Sequence, residues 1–197
     1  MIRFAAFGSV ALLALAACNA PPPAEPAPPA DPPAAPGPPV SAADKLTAAG
    51  YGPLRIGMTL AEVEAALGSD ADPDAVGGPE PEVCDMFRPE RAPEGMLVMI
   101  QNGVLTSVWL SRNTVVETDR ALNIGDAAAE VKRVYGADAE VMPHKYAAAP
   151  AEYITVWSTV DHDSPAARGL KYEIGNDGRV QSIAGGDPSI QYVEGCA

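Results

Sequence analysis

Two segments of this chain repeat each other without a gap: residues 54–68 (LRIGMTLAEVEAALG) and 122–136 (LNIGDAAAEVKRVYG) agree at seven of fifteen positions at an offset of 68. A match of that density at fixed spacing implies one supersecondary unit used twice, which restricts the fold more than composition does. The shared residues have a physical logic. Leu54/Ile56 and Leu122/Ile124 read as apolar strand ends, Gly57 and Gly125 as tight turns, and the residues after each turn as a short helix stopped by Gly68 or Gly136. Thr59 and Glu62 have the spacing of a capping box, with Leu60, Val63 and Leu67 as the buried stripe. In the second copy Asp126 is the expected cap, and Val131, Val134 and Tyr135 the apolar face. Glu62 and Glu130 therefore read as helix-end residues, with a catalytic carboxylate pair as the alternative.

Downstream of each helix the pattern changes to hairpins. Residues 95–103 (GMLVMIQNG) align with 169–178 (GLKYEIGNDG), and Asn102-Gly103 and Asn176-Asp177-Gly178 are the turn signals. Strands are expected over 104–110 and 179–184, and the alternation of Tyr153, Thr155 and Trp157 with Ile154 and Val156 predicts another over 152–160. The run MLVMI at 96–100 is apolar on both faces, which calls for cover on both sides, by the second repeat or by residues 41–51. The expected fold class is α+β: two tandem repeats, residues 41–117 and 118–197, each a short helical pair packed on an antiparallel sheet.

The N-terminal region has a different character. Arg3 precedes fourteen uncharged, mainly apolar residues at 4–17, too few to cross a bilayer comfortably, where about 20 are needed. They end in Leu15, Ala16, Ala17 and Cys18, which resembles the signal of bacterial lipoproteins; residues 1–17 are then the signal peptide and Cys18 the lipidated residue. An ordinary signal cleaved elsewhere, or a buried helix, is the competing reading. The resemblance implies a diacylglyceryl thioether and often a further acyl chain such as palmitate, which together anchor stably where one chain would not. Asn19 rather than aspartate after the anchor implies, by the same similarity, the outer membrane facing the periplasm. Residues 19–40 hold eleven prolines among twenty-two residues, lacking the donors for a helix and the bulk for a core. Residues 18–40 thus read as a disordered Pro/Ala tether, reaching on the order of 70 Å in polyproline II geometry. A proline-rich ligand for a recognition domain is the functional alternative.

Removing Arg3 with the signal leaves 12 basic against 26 acidic residues, a net charge of −14. Such a surface repels phosphate backbones, so no nucleic-acid partner is expected. With Cys18 assigned to lipid, Cys84 and Cys196 remain as one pair, and export makes a disulfide the natural reading; metal binding by two distant thiols is the weaker one. His144 and His162 are the chain's two histidines, and neither has the spacing of a zinc site or a nucleophile with its base. His162 between Asp161 and Asp163 could bind a metal but reads first as a solvated loop. Asp70, Asp72 and Asp74 begin like a calcium loop, but Ala75 stands where glycine is needed and Pro81 where the bidentate glutamate belongs. With Glu80, Glu82 and Asp85 nearby, that stretch is an acidic loop, able at most to meet a basic partner.

The motif IGMT…EV…LG at 56–68 resembles the outer-membrane lipoprotein family SmpA/OmlA, and a tandem pair of such units resembles the secreted beta-lactamase inhibitory protein (BLIP-like). The resemblance implies helices packed on antiparallel sheets, with a concave face that binds protein, and no catalysis or cofactor. The expected function is a lipid-anchored envelope protein acting as a non-enzymatic protein-binding module, with envelope proteins as partners and the membrane reached through the lipid. The alternatives are an inhibitor of a periplasmic or secreted hydrolase, and a small envelope hydrolase or metal-dependent enzyme. Trp109, Tyr153 and Trp157 are the aromatic anchors of an interface if one sheet face is left uncovered, and core residues otherwise. The anchor has a direct test: Cys18→Ala should abolish acylation and release the protein from the membrane fraction, and unchanged lipid labelling and retention would remove this assignment.

Overall fold

The computed structural model describes residues 44–196 apart from Val76; the signal, Cys18 and the tether lie outside the described residues. The fold is α+β, with few helices and one large antiparallel sheet. In chain order come a small hairpin of β1 (Leu46–Thr47) and β2 (Gly50–Tyr51), helix α1 (Leu60–Leu67), then β3 (Cys84–Phe87), β4 (Met96–Gln101) and β5 (Val104–Leu110). Helix α2 (Ala128–Tyr135) runs into a single 3-10 turn (Gly136–Asp138) and is followed by β6 (Glu140–Pro143), β7 (Glu152–Trp157), β8 (Gly169–Ile174) and β9 (Val180–Gly186). A 3-10 turn at Pro188–Gln191 leads into the C-terminal segment. The seven sheet strands stand in the order β3-β4-β5-β9-β8-β7-β6, so β5 and β9, each the last strand after a helix, meet in the middle.

Local chemistry explains most of these elements. In α1 the Thr59 hydroxyl accepts from the Glu62 amide while Glu62 accepts from the Thr59 amide, closing the expected capping box. Gly57 and Gly125 take φ of 98° and 92°, and Gly68 and Gly136 end the helices at positive φ. Asn102 and Gly103, at φ 49° and 77°, form the two-residue turn between β4 and β5. Both helices are clipped to the sheet in the same way. The Gly57 amide donates to Leu105 O and the Leu105 amide to Met58 O, at 2.8 and 2.7 Å; the Gly125 amide donates to Val180 O and the Val180 amide to Asp126 O, at 2.8 and 2.9 Å.

Several expectations need correcting. Among the described residues each sheet half carries one eight-residue helix and not a helical pair. Helices this short are held by packing rather than by propensity. The residue capping α2 is Ala127, without a side-chain bond; Asp126 instead accepts from the Asn123 amide at 2.7 Å, bracing the turn before the helix. Leu54 and Leu122 are fully buried but lie in irregular segments, not strands. Leu60 stands at the exposed rim of α1, leaving Val63 and Leu67 to fill the core. β7 stops at Trp157, and β9 starts one residue later and runs two residues further than the alternation suggests.

One continuous core lies between the sheet and the helices, with Val63, Leu67 and Val131 packed against Val98, Leu105, Val108, Leu170, Tyr172 and Ile183. The β1–β2 hairpin covers the same side, and its backbone comes so close to the central strands that a Cβ at Gly185 would stand 2.5 Å from Thr47 O. Only glycine fits there. Tyr51 and Tyr172 are fully buried, and the Tyr172 hydroxyl pairs with that of Tyr135 at 2.8 Å, tying α2 to β8. Burial, with the Asp44 charge adding to it, pushes the Tyr51 phenol up to about 12. Burial first, then the bond to Tyr135, raises Tyr172.

A raised phenol favours the folded state below the ordinary tyrosine value of about 10, and this stability is lost as pH climbs through the folded value. Alkaline unfolding followed by circular dichroism should therefore begin above about pH 10. Tyr51→Phe, which cannot ionise, should move its midpoint upward, and an unmoved midpoint would assign the alkaline loss to other groups.

Candidate functional site

Strand register fixes which side chains share the sheet face away from the helices. Three cross-strand rows lie on it: Met86, Met99, Ser107, Gly186, Gly169 and Trp157; Leu97, Trp109, Ala184, Lys171, Thr155 and Glu140; and Ser182, Glu173, Tyr153 and Met142. Trp109, Tyr153 and Trp157, drawn from two strands far apart in sequence, thus share one face. Their environments differ. Tyr153 is buried, with His144 stacked on it at 4.6 Å between ring centroids. Trp109 is half-buried and donates from Nε1 to Ser107 Oγ at 2.7 Å, while half-buried Trp157 stacks on His162 at 4.9 Å.

Lys171 sits between two of these aromatics. Its Nζ lies 4.5 Å from the Tyr153 ring centre and 6.0 Å from that of Trp109, and the residue is only 5% exposed. Burial pulls the amine below the ordinary lysine range, and the Glu173 carboxylate opposes that shift. Two ring faces and two carbonyl acceptors, Tyr192 O at 3.2 Å and Gln191 O at 3.5 Å, receive the charge. Sequence reading passes over Lys171 because alternation with Leu170 and Tyr172 marks it as an ordinary outward residue. Beside it Glu173 accepts from Ser182 Oγ at 2.8 Å and meets His144 Nε2 at 3.1 Å. The Tyr146 amide donates to His144 Nδ1, which puts the ring proton on Nε2, facing Glu173. His162 Nε2 stands 3.4 Å from Glu140.

The chain's own C-terminus crosses this face. The Asp187 amide donates to Thr106 O at 3.0 Å, Ile190 packs fully buried against Gly169, and Gly195 lies against Met86. Met99, between those points, is fully buried, so the apolar run of β4 is covered by the hairpin and helices on one side and by this segment on the other. The segment ends in the Cys84–Cys196 disulfide. Two residues before it, Glu194 accepts from the Tyr146 hydroxyl and lies 3.9 Å from Lys145 Nζ, both in the loop after β6. β3 and β6 are opposite edges of the sheet, and seven flat strands would hold them about 29 Å apart. One short segment is tied to β3 by the disulfide and to the loop after β6 through Glu194. An open cleft of about 410 Å³ remains beside the disulfide, lined by Cys84, Gln101, Lys145, Tyr192 and Glu194.

The acidic loop lies elsewhere, along the outer side of β3. It forms one wall of a second cleft, about 430 Å³, where Asp70 and Asp72 face Met86, Phe87, Met96 and Leu97 with Arg88 and Arg112 at the rim. Among the described residues no three His, Cys, Asp or Glu side chains converge in a metal-binding group.

No family model matches the chain, and no curated protein matches it. A solved structure, that of an extracellular protein containing a SCP domain from Bacillus anthracis str. Ames, aligns at 9% identity and a TM-score of 0.41 over 67% of this chain. The aligned part is 44% of that protein.

The disulfide closes a loop with a sequence separation of 112, for which the chain-entropy model gives a stabilisation of about 4 to 5 kcal/mol. Cys196→Ser should lower urea stability by an amount approaching that and raise amide exchange over residues 187–196. Thiol titration of the denatured, unreduced mature protein should find no free Cys84 or Cys196. Two free thiols, or unchanged exchange in the variant, would show that the cystine does not hold the segment down.

Proposed function

We propose that this protein is a lipid-anchored component of the bacterial cell envelope, retained at the outer membrane through Cys18, whose domain is a non-enzymatic protein-binding module. On this reading the two helix-plus-sheet halves are tandem repeats of the SmpA/OmlA kind, and the like-placed clips at Gly57 and Gly125 support that relationship. The pairing of Cys84 with Cys196 supports the anchor, since it leaves Cys18 free for lipid. The observation that carries the binding role is the sheet face itself. Half-buried Leu97, Trp109 and Trp157 and the exposed Met142 stand on one side of the sheet, around a segment pinned by Lys171 and the disulfide. Large aromatic and apolar side chains on a rigid, partly exposed face are the composition of protein-binding hot spots.

Crosslinking in the native cell, with identification of the captured proteins, tests the role. Trp109→Ala combined with Trp157→Ala should reduce capture about tenfold or more, as truncation of hot-spot aromatics does, while the far-ultraviolet spectrum is retained. Loss of the fold would make these residues core, and retrieval of only lipid and peptidoglycan would make the role a structural one in the envelope. Stoichiometric blocking of a hydrolase by the purified domain would identify the captured partner class as an enzyme.

A further inference from the structure

The two edges of the sheet are treated differently. On the β3 side the chain runs back along its own edge: just past the strand the Ala71 amide donates to Arg88 O and the Glu90 amide to Ser69 O, both at 2.9 Å. Gly77 is pressed so closely onto Met86 that a side chain there would collide with its backbone. At the other edge β6 pairs with β7 alone, and among the described residues nothing pairs with its outer side. All four β6 residues are exposed, and its two central ones are large and apolar: Val141 at 46% and Met142 at 48%, one on each face. An open strand edge of this kind is a template for another strand.

A cleft of about 340 Å³ opens at the start of β6, lined by Asp138, Glu140, Trp157 and His162 together with residues 158–160. Asp138 and Glu140 are exposed, and Trp157 has one ring face occupied by His162. The charge of the whole chain, −13 with histidines neutral, disfavours a second copy on this edge and favours a partner of opposite sign. Pro143 closes one end of β6 and Glu140 charges the other, which limits pairing with arbitrary strands.

Resting on the protein-binding reading above, we infer that β6 accepts an extended, lysine- or arginine-bearing segment of a partner protein as an added strand. A cationic side chain of that segment is seated in the cleft between Asp138, Glu140 and the edge of Trp157. Main-chain hydrogen bonds along β6 supply the attraction that is independent of sequence, Val141 meets the apolar side chains on one face, and on the other face the carboxylates select for positive charge. The edge extends the face that carries Trp157 and Met142, so a strand added there enlarges one recognition surface.

Three eight-residue probes test this on the isotope-labelled mature protein: alternating lysine and valine, alternating glutamate and valine, and the lysine peptide with alternate backbone amides methylated. The lysine peptide should bind at least about tenfold tighter than the glutamate peptide, with amide shifts at residues 138–143 and 157–162. The methylated peptide should lose binding, because it cannot donate to the edge. Asp138→Lys with Glu140→Lys, two exposed positions, should reverse the charge preference. Equal binding of both charges, retained binding of the methylated peptide, or shifts confined to the acidic loop at 70–82 would each overturn the proposal.

A photo-reactive residue at Val141 or, separately, at Leu97 keeps this proposal distinguishable from the broader one. Crosslinks from Val141 that map to a lysine- or arginine-bearing partner segment support the edge. Protein crosslinks from Leu97 alone overturn the edge and keep the binding role, and protein crosslinks from neither position remove both.

Discussion

The structure depends on the pairing of β5 with β9. The two strands share four register pairs, from Ser107 opposite Gly186 to Leu110 opposite Ile183, and this short seam makes one sheet out of two groups of strands that would otherwise each expose an edge. Small residues make it possible. A side chain at Gly186 would collide with Thr106 O, and one at Gly185 with the hairpin carbonyl of Thr47. With the backbones free to approach, Val108 and Leu110 from one group and Leu170 and Ile183 from the other enter a single core, and both short helices pack on the same side of it.

Placing the helices and the β1–β2 hairpin on one side leaves the opposite face to be managed otherwise. Its centre is closed by the chain's own C-terminal segment, which is tied to one sheet edge by the disulfide and to the other through Glu194. Lys171 lies beneath the segment with its charge spread over two carbonyls and two aromatic rings, a costly placement that burial without those partners would not sustain. The uncovered remainder carries Leu97, Trp109, Trp157 and Met142, and there the proposed protein-binding role has its chemistry.

Much of the local structure was legible because its causes are local. The capping box of Thr59 and Glu62, the turn glycines at 57 and 125, the Asn102-Gly103 hairpin and the span of β5 each depend on residues within a few positions of one another. The sequence misleads where a competing contact or the orientation of an element decides. Asp126 looks like a helix cap, yet the neighbouring turn holds its carboxylate; Leu60 has the right spacing for the core, yet α1 presents only Val63 and Leu67 to it. The aromatic residues of the candidate site were found from alternation within strands. Lys171, His144 and Glu173 were not, because their partners are supplied by the C-terminal segment and by a loop 29 residues away from Glu173.

By itself the sequence determined the α+β class, the capping box of α1 and the turn of the β4–β5 hairpin, and, once Cys18 is given to lipid, the choice of Cys84 and Cys196 as partners. Each of these comes from short-range geometry or from the count of cysteines. Only the tertiary structure decided that the two groups of strands join edge to edge, that the C-terminal segment lies across the face opposite the helices, and that among the described residues nothing pairs with the outer side of β6. The reason is physical: residue alternation specifies which side chains share a face, but not which strand becomes a neighbour or what packs above it. Those outcomes depend on close backbone approach at Gly185 and Gly186 and on a covalent tie across a separation of 112 residues.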